Sequence, residues 1–163
     1  MEEVTFHRPT EEMVQFIADN MRDADRIEVE ASDGWKPLEA LHKSLGASHL
    51  STVACVQGVP CVVFGLVIHD IMAGTGSPWM LGTDGALKHR RQFLTETPQV
   101  IEEMLRKCVK LVNHVHVKNR ESVRWLRWLG FTLEEPAPYG VVGEEFHRFY
   151  MEKPLCAALQ QSH

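Results

Sequence analysis

Apolar residues recur along the chain at two spacings, one typical of helices and the other of strands. Spacing of three and four residues predicts amphipathic helices, which are expected after Thr10, over residues 37–45 with Gly46 as the C-cap, over 90–110 and over 120–129. Short runs rich in Val and aromatic residues predict strands, at residues 4–8, 51–57, 61–69, 79–83, 111–117, 131–134 and 146–152. Loops or connectors are expected at residues 73–78, 84–88 and 135–145.

The first helix has a clear start signal. Thr10 can accept a hydrogen bond from a first-turn amide, and Glu11 and Glu12 follow where the helix dipole favours negative charge. The pattern predicts one buried face on this helix, made by Met13, Phe16, Ile17 and Met21.

The pattern alone does not decide the secondary structure of two segments. Residues 23–34 are strongly acidic and fit neither period. Pro98 lies inside the helical pattern of residues 90–110, so that this helix either starts at Thr97 and Pro98 or is kinked there.

The order of the predicted elements indicates the fold class. Strands outnumber the helices that could cross between them, which favours a mixed α/β sheet over a doubly wound parallel one. The turn at Gly58, Val59 and Pro60 predicts a hairpin between two Val-rich strands.

Composition adds bounds on size and partners. The chain has 163 residues with 44% hydrophobic and 24% charged residues, which predicts one globular domain, residues 1–153, and a C-terminal tail, 154–163. A net charge of -5 argues against nucleic acid as the main partner. No apolar run reaches the roughly 18 residues that span a bilayer, and no signal peptide is recognised. The four cysteines, expected to be reduced and buried, are Cys55, Cys61, Cys108 and Cys156.

A helix with defined ends follows the strand at residues 111–117. Asn119 is placed to cap its first amides, Ser122 is small enough for close approach of a ligand, and Gly130 precedes Phe131 at its end. This spacing resembles the GNAT superfamily of acetyl-CoA-dependent N-acyltransferases, as does the order of elements. The resemblance implies a central, mostly antiparallel sheet with splayed central strands, flanked by helices.

A narrower resemblance covers residues 79–152. The positions that carry it are residues 79–84, the basic cluster 88–91, and Asn113, Val115, Val117, Asn119, Ser122 and Leu126. They are similar to GNAT-like proteins of short-tailed bacteriophages, often described as internal virion or acetyltransferase-like proteins. This implies a virion or assembly protein, in the host cytoplasm or the particle, with phage virion proteins as partners.

The superfamily resemblance also implies an acetyl-CoA site. An open strand edge at Met80 and Leu81 would pair with the pantetheine arm, next to the helix start. The phosphate loop departs from active members, because residues 83–91 hold a single glycine. Basic side chains could hold the phosphates instead. The residues implied at the site are Met80, Leu81, Lys88, Arg90, Arg91, Asn119 and Ser122.

The proton-transfer groups are a second departure. Many active members carry a tyrosine seven residues after the helix asparagine, to protonate the leaving thiolate; here Leu126 stands there and cannot donate a proton. Tyr139 and Tyr150 are alternative acids. The candidate bases are Glu28, Glu30 and His69.

Two functions therefore remain. One is a phage virion or assembly protein that keeps the fold with a degenerate acetyl-CoA site. The other is an active N-acetyltransferase acting on a small-molecule or protein amine.

Two further pairs have an alternative interpretation. His114 and His116 alternate in a strand and can share a zinc ion, but no third ligand accompanies them, so no metal is expected. Trp125 and Trp128 lie three apart on a helix and are expected to pack on the sheet, with one partly exposed for docking.

Overall fold

The structure, a computed structural model, describes residues 3–154. Its strands are β1 Val4–His7, β2 Leu50–Val56, β3 Val59–Asp70, β4 Thr75–Gly82, β5 Lys110–His116, β6 Thr132–Leu133, β7 Ala137–Tyr139 and β8 Glu144–Glu152. Its helices are α1 Glu11–Asp19, α2 Asp23–Asp33, α3 Pro37–Ala47, α4 Gly85–Lys88, α5 Arg90–Lys107 and α6 Arg120–Leu129. Residues 155–163 of the expected tail, with Cys156, lie outside the described residues.

All eight strands join one sheet in the order β1-β2-β3-β4-β5-β8-β6, with β7 pairing β8 beside β6. Every pairing is antiparallel except that of β4 with β5. This parallel ladder holds only two residue pairs, Thr75 with Lys110 and Gly76 with Leu111. Beyond them β4 and β5 diverge. The predicted mixed sheet with splayed central strands is confirmed.

The start of α1 agrees with its sequence signal, since the Thr10 hydroxyl accepts a 3.3 Å bond from the Met13 amide. The prediction for its buried face was partly wrong, because Phe16 is 38% exposed. The face that packs inward is one step round the helix and consists of Val14, Ile17 and Ala18, and Met21 is buried just beyond the end of the helix. The smaller side chains there allow α1 to lie close to α3 and β3.

The two helices that follow also differ from expectation. The acidic residues 23–34 form α2, which ends at Gly34 in the left-handed conformation. Gly46 is not a C-cap, because α3 continues to Ala47 and Ser48 takes the cap position. The Ser48 hydroxyl donates to the Ser44 carbonyl at 2.7 Å, which satisfies one acceptor of the last turn.

Pro98 neither starts nor ends a helix. Helix α5 begins at Arg90 and runs through Pro98 to Lys107. The Thr97 hydroxyl donates to the Phe93 carbonyl within this helix instead of acting as an N-cap. Three smaller corrections concern residues predicted as loop or connector: β4 begins at Thr75, residues 85–88 form α4, and residues 137–139 form β7.

Apolar clusters lie on both faces of the sheet. One includes Ile17, Leu41, Val53 and Val63, beneath α1 and α3. Another includes Met104, Leu111, Val123 and Phe149, beneath α5 and α6. The cysteines at 55, 61 and 108 are free and buried, as predicted. Among the described residues, no helix is both long enough and apolar enough to cross a membrane.

Candidate functional site

The opening between β4 and β5 begins directly after their two ladder pairs. There the Ser77 hydroxyl donates to the Val112 carbonyl at 2.7 Å, and the Asn113 side-chain amide donates to the Pro78 carbonyl at 2.8 Å. The Asn113 side-chain oxygen accepts the backbone amide of His114 at 2.8 Å. Side chains thus replace the backbone ladder, and they mark the narrow end of a slot between the two strands.

Met80 is the residue of β4 whose backbone faces this slot. The amide of Gly82, two residues on, points away from β3, because it donates to a side chain of α2. Because backbone directions alternate along a strand, the N–H and C=O of Met80 point the same way as those of Gly82, away from β3 and into the slot. Pro78 fits this edge, because its missing N–H would also have faced the slot, where no strand is paired. Met80 therefore offers an open strand edge.

A buried polar cluster closes the wide end of the slot. Asp25 Oδ2 accepts the Gly82 amide at 2.9 Å, and Asp25 Oδ1 accepts the Asn119 side-chain amide at 3.1 Å. Arg22 donates to Asp25 Oδ1 and to Asn119 Oδ1, each at 3.2 Å. The Arg22 backbone amide donates to the Gly82 carbonyl at 2.9 Å. The first turn of α2 therefore joins the end of β4 to the start of α6.

Two carboxyl groups of this region have raised pKa values. Burial raises the pKa of Asp25, and the charge of Arg22 opposes that shift. Burial also raises the pKa of Glu28 to about 8, with a further increase from the nearby Asp25 carboxylate. Glu28 Oε1 accepts the backbone amide of His116 at 2.7 Å. Since β4 has diverged there, this carboxyl takes the place of a strand partner for β5.

A cavity of about 250 Å³ occupies the slot and reaches both faces of the sheet. On the α2 side it is lined by Glu28, Val29, Ser32, Asp33, Tyr139 and Phe146. On the α5 and α6 side it is lined by Phe93, Thr97, Ile101, Ser122, Trp125 and Leu126. Two ligands could therefore approach the same point from opposite faces.

The structure brings some of the residues implied for ligand binding to this cavity. Met80, Leu81 and Ser122 line it. Lys88, Arg90 and Arg91 are exposed at the junction of α4 and α5 and do not line it.

The capping role predicted for Asn119 was wrong. Its side chain makes no capping bond to α6 and is 1% exposed. It bonds instead to Arg22 and Asp25, because a buried amide finds its strongest partners in buried charges.

The backbone amides of the turn that follows β4 form hydrogen bonds within that turn. Those of Ala86, Leu87, Lys88 and His89 donate to carbonyls of residues 83–85 within the same turn. The amide of Gly85 donates to the Thr83 hydroxyl at 3.1 Å. These N–H groups are therefore already hydrogen-bonded and are not free to bind a phosphate, unlike those of an open loop shaped to surround one.

Of the five candidate proton-transfer groups, two line the cavity and three do not. Glu28 lines it, whereas Glu30 is exposed and His69, bonded to the Ser77 hydroxyl at 2.6 Å, lies outside. Tyr139 lines it as well, stacked on His114 with ring centroids 3.6 Å apart. Tyr150 lies near Lys110 and Arg148 instead.

Sequence reasoning gave no role to the buried residues Arg22 and Asp25, and it named the half-buried Asn113 only as part of the narrower resemblance. Asp25 belongs to the acidic stretch that fitted no period and Arg22 directly precedes it, and their partners Gly82 and Asn119 lie at least 57 positions away along the chain. The signal in the sequence that could have drawn attention to them is the dense run of charged residues from Arg22 to Asp33.

The histidine and tryptophan pairs have separate surroundings. His114 stacks on Tyr139, and His116 packs edge-on against Phe146. In the described part of the chain, no three residues of the types that bind metals form a group able to hold an ion. Trp125 lines the cavity, whereas Trp128 is 57% exposed.

Comparison with known proteins agrees with this geometry. No protein-family model matches the chain, and no curated protein matches it. Solved structures do match. A spermidine N-acetyltransferase from Vibrio cholerae in complex with CoA and spermine has 13% sequence identity and a TM-score of 0.69, over 93% of this chain and 96% of that chain. A dodecameric structure of spermidine N-acetyltransferase from Vibrio cholerae in an intermediate state has 15% identity and a TM-score of 0.63, over 99% of both chains.

The sheet order, the splayed strands and these likenesses define the class of fold. The chain has the fold of the GNAT acetyltransferases. At identities this low the likeness describes the fold, and the activity has to be argued from the site.

Proposed function

We propose that the protein is an N-acyltransferase that moves the acetyl group of acetyl-CoA to a primary amine. The observation that carries this proposal is the slot between β4 and β5, which opens on both faces of the sheet and presents an unpaired edge at Met80. We also propose that residues 1–153 form one domain, which carries this site.

The residues of the slot fit the elongated part of such a ligand. Acetyl-CoA would supply an acyl group activated as a thioester. The N–H and C=O of Met80 are spaced to pair with an amide of the pantetheine arm, as an added strand would. Ser122 and Leu126 line the α6 side of the same channel. Phosphate binding would fall to the side chains of Lys88, Arg90 and Arg91, because most amides of the turn are already bonded.

The part of the cavity on the α2 side of the sheet suits an amine acceptor. Its polar lining on α2 is acidic, with Glu28 and Asp33, and Tyr139 adds an aromatic wall. Carboxylates and aromatic faces both attract an ammonium group. The similar Vibrio cholerae enzyme is a spermidine N-acetyltransferase bound to spermine, which supports an aliphatic amine as the acceptor here.

A second candidate is a virion or assembly protein of a bacteriophage with a degenerate acetyl-CoA site. Two observations favour it: the committed amides of the turn after β4, and Leu126 in place of a proton donor. In this case the protein would bind phage virion proteins, and the slot would be a remnant of the fold.

Calorimetric titration with coenzyme A and with acetyl-CoA separates the two candidates. Micromolar binding is expected from the first, weakened about tenfold or more when Arg90 and Arg91 are both changed to Ala, because charge-assisted contacts to phosphate are lost. The matched control changes Arg106 and Lys107, two exposed cations at the other end of α5, and should bind as the wild type does. No heat at millimolar ligand would overturn the enzyme proposal and leave the assembly role.

A further inference from the structure

Trp125 packs differently from the other inward-facing residues of α6. Val123 and Leu126 pack with Val115 of β5, beneath the helix. Trp125 instead packs against a separate apolar cluster, which consists of Ala54 and Val56 of β2, Cys61 and Val62 of β3, Ala86 of α4 and Phe93 in the first turn of α5. Strands β2 and β3 and the turn after β4 lie on the β4 side of the slot, whereas α6 follows β5. The indole of Trp125 therefore crosses the slot on the α5 and α6 face of the sheet.

The indole N–H of Trp125 is buried and has no hydrogen-bond partner within residues 3–154. Trp79, which also lines the cavity, donates from its Nε1 atom to the Ser48 hydroxyl at 2.7 Å. A buried tryptophan N–H usually has such an acceptor, and leaving it without one costs free energy. The contrast marks Trp125 as a donor whose acceptor the described part of the chain does not supply.

A second buried side-chain nitrogen in the described residues, His116 Nε2, also makes no hydrogen bond. Its surroundings are different, because it lies 3.5 Å from Glu144 Oε1 and His116 does not line the cavity. Trp125 does line the cavity, as does Ser122 three residues earlier on α6. Of the two nitrogens, that of Trp125 is therefore the one that belongs to a side chain next to a space that a ligand can enter.

From this placement we infer that Trp125 is a ligand-binding residue: its indole closes the slot over the arm of the acyl donor, and its N–H donates to an amide oxygen of that arm. This inference rests on the proposed function, because the pantetheine arm of acetyl-CoA is what supplies the amide oxygens. Met80 packs against the same apolar cluster as Trp125. The arm would therefore lie between the open strand edge at Met80 and the indole.

The two sides of the slot would bind different groups of the arm. The backbone of Met80 can pair with one amide, as an added strand would. The arm carries a second amide, whose enclosed carbonyl oxygen needs a donor from elsewhere. Trp125 provides that donor, and its flat ring covers the apolar carbons between the amides. Because Nε1 is enclosed by the protein, the indole has to turn aside as the ligand enters and then close on it.

The first test follows the indole N–H signals of the nitrogen-15-labelled wild type by NMR. The chain has four tryptophans, at positions 35, 79, 125 and 128. The variants Trp125→Phe and Trp128→Phe assign the two signals of α6. Coenzyme A and pantetheine should each move the Trp125 proton signal to lower field, because a proton that enters a hydrogen bond is deshielded. The signal of Trp128, which is 57% exposed, should stay in place. Adenosine 3′,5′-bisphosphate, which has no pantetheine arm, should move neither signal.

The second test measures coenzyme A binding by calorimetry. Trp125→Phe keeps an aromatic ring and loses the donor, so it should bind coenzyme A about tenfold more weakly than the wild type does. Trp128→Phe is the matched control on the exposed side of the same helix and should bind as the wild type does. Circular dichroism checks the fold of both variants. The NMR titration of the wild type needs neither variant to bind ligand, so it decides the matter even if Trp125→Phe folds poorly.

Several results would overturn the inference. These are a Trp125 signal that does not move at saturating coenzyme A, a signal that moves equally with the nucleotide alone, or wild-type affinity in Trp125→Phe. Failure of the wild type to bind coenzyme A at millimolar concentration would instead count against the proposed function, on which the inference rests. The two failures are therefore distinct.

Discussion

The backbone amide of Gly82, at the end of β4, donates a 2.9 Å hydrogen bond to the carboxylate of Asp25 on α2. The other oxygen of that carboxylate accepts bonds from Arg22 and from Asn119, which precedes α6. One side chain thus contacts the end of β4 and the residue that precedes α6. We interpret Asp25 as the residue that holds β4 and α6 at a fixed separation, and therefore sets the width of the cavity between them.

Replacing Asp25 with Ala should destabilise the protein strongly. The guanidinium of Arg22, 6% exposed as a residue, would lose its carboxylate partner, and the Gly82 amide would lose its acceptor. Removal of one partner from a buried ion pair costs about 3–5 kcal/mol. Urea unfolding followed by circular dichroism measures this loss.

The control for that experiment is Asp23→Ala, on the same turn but exposed. It removes only a favourable charge near the helix N-terminus, worth about 0.3–1 kcal/mol. Equal losses in the two variants would show that the Asp25 cluster contributes little to stability.

Glu28 gives stability a predictable dependence on pH. Its pKa is raised from 4.5 to about 8 in the folded protein, so between these values the folded state holds a proton that the unfolded chain has released. Stability from this residue is therefore fully present below about pH 4.5 and is lost as pH rises towards 8, by at most about 1.4 kcal/mol per pH unit.

The unfolding free energy of the wild type should thus fall between pH 5.5 and 7.5 more steeply than that of Glu28→Gln. The comparison between the two proteins removes the contribution of other groups that titrate in this range. Parallel pH profiles would mean that Glu28 is ionised in the folded state, contrary to the raised pKa.

The elements that sequence alone could predict are those with local signals. Helix α6 is an example, because Gly130 supplies the left-handed residue at its end, with a φ of 99°. The strands of the β2–β3 hairpin were equally visible from their Val-rich runs and the Gly58 turn. The splay of β4 and β5 was predicted only through the resemblance to a known fold, since no residue pattern encodes a ladder of two pairs.

The polar cluster could not be predicted, for a physical reason. Helix α2 packs Asp25 and Glu28 inward beside Val29, and a buried face made of acids has the same sequence pattern as a solvated one. Asn119 also shows that local sequence rules do not predict long-range hydrogen-bond partners. Its position favoured a cap, but its partners Arg22 and Asp25 are 97 and 94 residues away along the chain, and no local rule connects them.

Replacing Met80 with Pro tests whether the edge of β4 binds the ligand. The N–H that proline lacks should face the slot, so the ladder to β3 should survive and the melting temperature should change little. Coenzyme A should bind about tenfold more weakly, because a main-chain hydrogen bond is lost and the ring crowds the channel. Calorimetry and thermal unfolding of the same samples measure both effects.

Leu81→Pro is the matched control. Leu81 lies opposite Val63 in the β3–β4 ladder, and its N–H points towards β3 by the alternation of the strand. Proline there should destabilise the fold by about 3 kcal/mol or more. If Met80→Pro unfolded as readily as Leu81→Pro, the edge at Met80 would be part of the ladder and not open.

Tyr139 is the remaining candidate for the acid that protonates the leaving thiolate. It lines the cavity that Leu126 also lines, whereas Tyr150 lies outside it. Burial and the nearby Asp33 raise the pKa of Tyr139, so its phenol stays protonated at neutral pH and can donate. Tyr139→Phe keeps the ring stacked on His114 and removes only the hydroxyl. We expect kcat to fall about 100-fold, with coenzyme A affinity unchanged, and Tyr150→Phe to behave as the wild type. A wild-type rate in Tyr139→Phe would instead assign the proton to solvent, which the open chamber on the α2 face would admit.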